Sequence, residues 1–217
     1  MRPPEALSPR GPVLYLYLMG KRRAVALQVL GLLLYNRPVD AQVRTVAMTV
    51  DDLPLASGIP EPELALDIKM AERVNEAIVH AFTRRHIPAT GFVIERRAED
   101  LGLPVSRKIL KLWTRPGFDL GNHLYSHPDV NALSVDQIEA EVTRGEATFA
   151  PLLRRTGRNP RFLRFPYNHT GDTLEKHDAI AAFLSAHGYR PAPCTIDNSD
   201  YEFNVAYALA CRSVTSG

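Results

Sequence analysis

Short apolar runs recur along this chain, and most lead at once into polar residues of an unusual kind. Residues 43–50 (VRTVAMTV) end on Asp51-Asp52, and the short run 118–120 leads into Gly121-Asn122-His123. Residues 162–165 lead into Pro166-Tyr167-Asn168, and residues 189–196 into Asp197-Asn198-Ser199-Asp200. A further run covers residues 90–94. Between the runs lie longer amphipathic stretches. Residues 64–86 place Ala71, Val74, Ile78 and Phe82 at three- and four-residue spacing, the repeat of a helix with one apolar face. Residues 105–113 form a second helix that Pro116-Gly117 ends. Ser134 with Gln137 three positions on is a capping box, opening a helix expected to run to about Arg155 and to stop at Gly157. Residues 174–187 make another, closed by Gly188 where left-handed geometry is needed, and residues 204–210 look helical. About five strand–helix units of this kind specify an α/β fold, a parallel sheet covered by helices. A barrel and an open doubly wound sheet both satisfy the pattern. Both put a functional site at the carboxyl ends of the strands, where the polar groups fall.

The length of 217 residues fits one domain preceded by a leader, taken here as residues 1–41 and 42–217. Residues 1–41 hold six basic residues and two acidic ones, so the mild positive charge belongs to the leader and the body is near −2. That excludes a nucleic-acid footprint. Lys21-Arg22-Arg23, the apolar run 24–35 and the small residues around Ala41 describe a secretory signal peptide, with Met19 as the expected true start. The run is shorter than the roughly 20 residues of a membrane span, so no stable membrane insertion is expected once the signal is cleaved. The expected location is outside the cytoplasm, in the periplasm, the cell envelope or the medium. A disulfide is permitted there, and Cys194 and Cys211 are either two independent thiols or a bridge.

Two features carry chemistry. Asp51 and Asp52 are adjacent carboxylates that repel unless a cation or proton intervenes, and neighbouring strand side chains point to opposite faces. For both to reach one site the chain must turn, and Leu53-Pro54 supplies the break. His123 and His127 are four apart, a spacing that puts both imidazoles on one face of a helical turn. Two histidines and one carboxylate form a divalent-metal site with positions left for water and substrate.

The motifs around these residues resemble those of the polysaccharide deacetylases, the NodB-homology family (carbohydrate esterase family 4). Thr49-Val50-Asp51-Asp52-Leu53-Pro54 is similar to the family's first motif, and residues 121–129 (GNHLYSHPD) to its second. Arg164-Phe165-Pro166-Tyr167 is similar to the third, and Asp197-Asn198-Ser199-Asp200-Tyr201 to the fourth, with Tyr for Trp. The resemblance implies a distorted (β/α) barrel and a hydrolase of carbon–nitrogen bonds other than peptide bonds. Its implied substrate is the N-acetylated sugar of a glycan such as peptidoglycan or a chitin-like polymer, and the chain is expected to be monomeric. It also implies Asp52, His123 and His127 as ligands of a divalent metal, zinc first and cobalt as an alternative. Asp51 would be the general base and Arg164 its holder. The backbone N–H of Tyr167 would assist the oxyanion, and Asp200 would orient the histidine that serves as general acid.

Two positions depart from the family. Leu53 stands where glycine is usual. No histidine follows His187, so the fifth motif, Leu-x-His, which supplies the acid, is not met. The expectation is therefore a C-terminally truncated chain with an incomplete barrel, its acid supplied either by a missing C-terminal segment or by His169, which otherwise assists substrate binding or is an exposed loop histidine. The competing reading is a glycan- or metal-binding remnant with little catalysis. For the leader, intact-mass measurement of the exported protein is expected to find residues 30–34 removed; a mature chain that keeps them overturns cleavage.

Overall fold

The computed structural model of the protein describes residues 45–56 and 68–203. The chain divides into Met1–Val46 and Ala47–Gly217, and the architecture below is that of the second unit. The leader, the first turn of the helix expected from residue 64, the helix expected over 204–210 and Cys211 lie outside the described residues.

Among the described residues five strands, β1 (Met48–Leu53), β2 (Ala89–Val93), β3 (Phe118–Asn122), β4 (Phe162–Leu163) and β5 (Arg190–Pro191), pair in chain order, all in parallel. Among the same residues the connections carry six α-helices: α1 (Ile68–Arg84), α2 (Glu95–Asp100), α3 (Leu103–Leu110), α4 (Val135–Arg144), α5 (Phe149–Arg154) and α6 (Leu174–Ala186). This is the expected α/β class. Among the described residues β1 and β5 are the ends of the sheet, and the barrel is not closed. The sheet is nevertheless strongly curled. Four strands in a flat sheet would separate β1 from β4 by about 14 Å. Yet Arg164, one residue beyond β4, reaches Thr49 Oγ1 at 2.8 Å and Asp51 Oδ1 at 2.7 Å on β1.

Packing explains where the elements depart from expectation. β1 begins at Met48 and is mostly half-exposed rather than buried, because it pairs on one side only. On α1 the buried stripe is Ala71, Asn75 and Val79, and Val74 is 41% exposed. The polar member of that stripe is satisfied in full. Asn75 Nδ2 donates to Pro54 O at 2.7 Å and Ala71 O at 2.8 Å, while its Oδ1 accepts from the wholly buried Trp113 Nε1 at 2.8 Å. The helix begun by the Ser134–Gln137 capping box stops at Arg144, and α5 starts afresh at Phe149. Thr148 gives its backbone N–H to the Glu95 carboxylate, and Pro151 has no N–H to continue a ladder. The strand expected over 189–196 shrinks to two residues, since Pro191 and Pro193 cannot donate to a neighbour. Gly188 takes φ +75° after α6, as its position predicts.

Two core clusters follow. One joins Val79, Leu110, Trp113, Phe149 and Leu153 to Val93 and Leu120 of the sheet. The other packs Ile138, Val142, Ile180 and Leu184 beneath Leu124 and Leu163. Replacing Asn75 by alanine strands the Trp113 N–H and is expected to cost roughly 2–3 kcal/mol in denaturant unfolding. Adding Trp113→Phe to that variant should then cost less than Trp113→Phe alone, because the donor left without a partner is removed with it.

Candidate metal centre

The rim is built from a fault in β1. Between Val50 and Leu53 the β1–β2 register slips by one residue, and Asp52 sits at φ +65°. A bulge of this kind breaks the alternation of side chains. Asp51 and Asp52 can therefore serve one rim, and the turn occurs at Asp52 itself rather than at Leu53-Pro54. β3 then delivers His123. The segment from His123 to His127 is not the helical turn expected from its spacing. Leu124 and His127 both take left-handed angles, φ +67° and +60°, and the chain loops back on itself.

These two segments meet. Asp52 Oδ1 lies 3.6 Å from His123 Nε2 and 3.5 Å from His127 Nε2, and the ligand atoms all fall within 4.8 Å of one another. Asp52 Oδ1 is buried and has no hydrogen-bond partner, an uncommon and costly state for a carboxylate oxygen. His123 Nδ1 lies 2.8 Å from Arg164 O; a carbonyl only accepts, so Nδ1 carries a proton, and Nε2 is the ring nitrogen turned toward Asp52. His127 is held neutral because burial, followed by the neighbouring His123, pushes its pKa below the usual imidazole value. An orphaned carboxylate oxygen facing two imidazole Nε2 atoms is a donor set for a divalent cation, and the residues present fit one.

Asp51 stands apart from this trio. Arg164 Nη1 grips its Oδ1 at 2.7 Å, Arg164 Nε donates to Ala192 O at 2.8 Å, and the guanidinium lies 4.4 Å over the Phe92 ring. The same residue thus fixes Asp51 by its side chain and the tautomer of His123 by its carbonyl. Tyr167, at φ +59° and 63% exposed, sets its ring edge-on to His127 at 5.1 Å. Asp200 is exposed, and among the described residues no hydrogen bond or ion pair joins its carboxylate to the cluster. His169 is held by Asp129, Nδ1 to Oδ1 at 2.8 Å, and its ring lies 6.0 Å from that of Tyr167. Tyr125 has Arg144 3.6 Å over its ring, and its hydroxyl donates to Glu99.

A family model described as polysaccharide deacetylase matches residues 39–191. The chain belongs to the polysaccharide deacetylase family. It is 28% identical over 130 residues to a peptidoglycan-N-acetylglucosamine deacetylase of Bacillus cereus, covering 60% of this chain and 38% of that one. It is 31% identical over 94 residues to a chitin deacetylase of Arthroderma benhamiae, covering 43% and 23%. The chain thus spans well under half the length of either relative. Two solved structures share the fold. A carbohydrate esterase family 4 pseudoenzyme from Bacillus anthracis matches with TM-score 0.52 at 16% identity, over 73% of this chain and 46% of that one. A polysaccharide deacetylase from Bacillus cereus matches with TM-score 0.51 at 18% identity, over 74% and 65%.

In this member of the polysaccharide deacetylase family the supports of the two histidines escaped sequence reasoning. Asn122 Oδ1 accepts from Leu124 N at 2.8 Å. Glu141 on α4 accepts from Ser126 N at 2.8 Å and Ser126 Oγ at 3.0 Å, pinning the residue before His127. Gly145 closes the same helix where a side chain would not fit, since a Cβ there would lie 2.6 Å from Asn122 Oδ1 and 2.9 Å from Leu124 C. Glu141→Ala is expected to cost about 1–3 kcal/mol and to raise the amide exchange rate of Ser126, measured by hydrogen–deuterium exchange with NMR. Unchanged protection would show that the loop holds itself.

Proposed function

We propose that this chain is a metal-dependent hydrolase that removes N-acetyl groups from N-acetylated sugars of a polysaccharide, a peptidoglycan or a chitin-like glycan. One observation carries the reading: a buried Asp52 oxygen without a partner faces two imidazole Nε2 atoms, beside a second carboxylate held by arginine. Asp52, His123 and His127 hold the cation, zinc first because two imidazoles and one carboxylate suit it, with cobalt able to occupy the same ligands. When bound, such a cation polarises the acetyl carbonyl and lowers the pKa of water beside it.

The chain's own groups do the rest. Asp51 accepts the proton of the attacking water, and Arg164 keeps that carboxylate aimed until it does so. The Tyr167 N–H is assigned to the oxygen that gains charge as the carbonyl carbon becomes tetrahedral. The left-handed angle at Tyr167 supports that assignment, because strained backbone of this kind collects at working sites. For the proton that the leaving amine needs, the histidine of this chain is His169, whose Nδ1 is taken by Asp129 and whose Nε2 remains to act. Asp200 retains the role the resemblance implies, as the carboxylate that orients an acid. The leader supports export, and among the described residues no helix is long and apolar enough to cross a membrane. The matched relatives, a peptidoglycan and a chitin deacetylase by name, support the substrate class.

The test is acetate release from N-acetylglucosamine oligomers, with metal content measured in parallel. Asp51→Asn should abolish turnover with metal retained, and His123→Ala should lose the metal. His169→Gln should lower kcat by roughly 100-fold or more with metal retained. Oligosaccharide binding without acetate release from the unaltered, metal-loaded protein would return the remnant reading.

A further inference from the structure

The short helix α2 was not anticipated from the sequence, yet it touches both halves of the ligand set. Its first two residues hold the histidine loop. Glu95 N donates to Leu124 O at 3.4 Å and Arg96 N to Tyr125 O at 2.8 Å, and both carbonyls lie between the two ligating histidines. Immediately before it, Ile94 N donates to Leu53 O at 3.0 Å, next to Asp52 on β1. The helix is itself anchored. The Glu95 side chain is fully buried and accepts the Thr148 backbone N–H at 3.0 Å, with the Thr148 hydroxyl on its other oxygen. Ser106 Oγ donates to Ala98 O at 2.7 Å.

From this fixed helix Arg97 reaches the carboxylate. Its Nη1 lies 3.3 Å from Asp52 Oδ2 and 3.5 Å from Leu55 O. The two oxygens of Asp52 are therefore divided: Oδ2 faces a guanidinium, and Oδ1 faces the two imidazoles. Three consecutive residues, Glu95, Arg96 and Arg97, thus bind the histidine loop and the carboxylate to one rigid turn.

We propose that Arg97 is a positioning residue for the metal. It occupies Asp52 Oδ2 so that the carboxylate offers the cation a single oxygen, and it keeps the ligand trio assembled before any cation arrives. This rests on the metal-site reading above. Two effects of Arg97 oppose each other. Its positive charge repels an incoming cation, while its grip on Oδ2 removes the freedom that Asp52 would lose on ligation. Outer partners of metal ligands typically change affinity by about 10–100-fold when removed, in the weakening direction, so the grip is expected to win.

The experiment uses the full chain, freed of metal and titrated with zinc against a chromophoric chelator, and with Co2+ by visible absorption. Arg97→Met keeps the bulk and removes the charge; Arg97→Lys keeps the charge and one donor. Arg97→Met is expected to bind one zinc about 10–100-fold more weakly. Its Co2+ bands should lose intensity as the carboxylate becomes free to chelate with both oxygens and coordination rises. Arg97→Lys should recover part of both losses. Unaltered or tighter zinc binding in a folded Arg97→Met overturns the proposal whatever its Co2+ spectrum. Should Arg97→Met unfold, Arg97→Lys decides alone: weaker binding with an altered Co2+ spectrum in a folded protein upholds the proposal, and affinity and spectrum both equal to the unaltered protein's overturn it. If the unaltered chain binds no metal, or binds it equally well after His123→Ala, the metal-site reading falls and this proposal with it. Zinc binding lost in His123→Ala but unaffected in Arg97→Met sinks the Arg97 role alone.

Discussion

Two carboxylates on consecutive residues repel each other, and the rim of this sheet is arranged around holding Asp51 and Asp52 side by side. Each has its own guanidinium: Arg164 at 2.7 Å from Asp51 and Arg97 at 3.3 Å from Asp52. Each pairing offsets part of the repulsion between the two carboxylates. The bulge at Asp52 then turns neighbouring residues toward one rim, which a regular strand forbids. What remains uncompensated is one oxygen of Asp52, and it faces the two imidazoles.

Such a rim is under strain and must be held from below. Asp52, Leu124, His127 and Tyr167 all take φ between +59° and +67°, a region that costs non-glycine residues about 1–3 kcal/mol each. The surrounding bonds are those of buried or half-buried polar groups made once and satisfied. Asn75 binds the turn after the carboxylates to Trp113, Asn122 and Glu141 bind the histidine loop, and Glu95 binds α2 to Thr148. Leaving any of these groups unpaired costs more than the bond itself contributes, so the network selects one conformation rather than merely adding stability.

Much of this was legible in the sequence, and the limits have physical causes. The strand ends at Asp51, His123 and Arg164 could be read because each follows an apolar run and bears a residue type that a buried rim does not tolerate without a purpose. The parallel α/β class followed from the alternation of runs and amphipathic stretches. Val74 was misplaced because periodicity weighs apolarity alone, while Asn75 is buried by virtue of three hydrogen bonds that no local pattern announces. The long helix over 134–155 was broken by a partner 53 residues away, Glu95, which captures Thr148. Arg97 lies in a run of charged residues that reads as a solvated face, and only the tertiary fold turns one of them toward Asp52. The local pattern thus gave the ligands, and the long-range contacts gave what holds them.

The division of labour among strands has a consequence for what this fold can do. The three candidate ligands come from β1 and from the loop that follows β3, and α2, itself anchored by Thr148, ties those two segments together. The holder of the base comes from the end of β4, and its guanidinium is braced in turn by Ala192 beyond β5. On the proposed reading cation binding and proton abstraction draw on different parts of the sheet, joined at one residue, Arg164, whose carbonyl meets His123 and whose side chain holds Asp51. A chain can keep the first function and lose the second by changes confined to the later strands. The same fold houses a relative described as a pseudoenzyme, so the architecture by itself does not confer turnover. On the proposed reading turnover rests on the Asp51–Arg164 pair and on a proton donor, while the candidate ligand trio is held by contacts of its own.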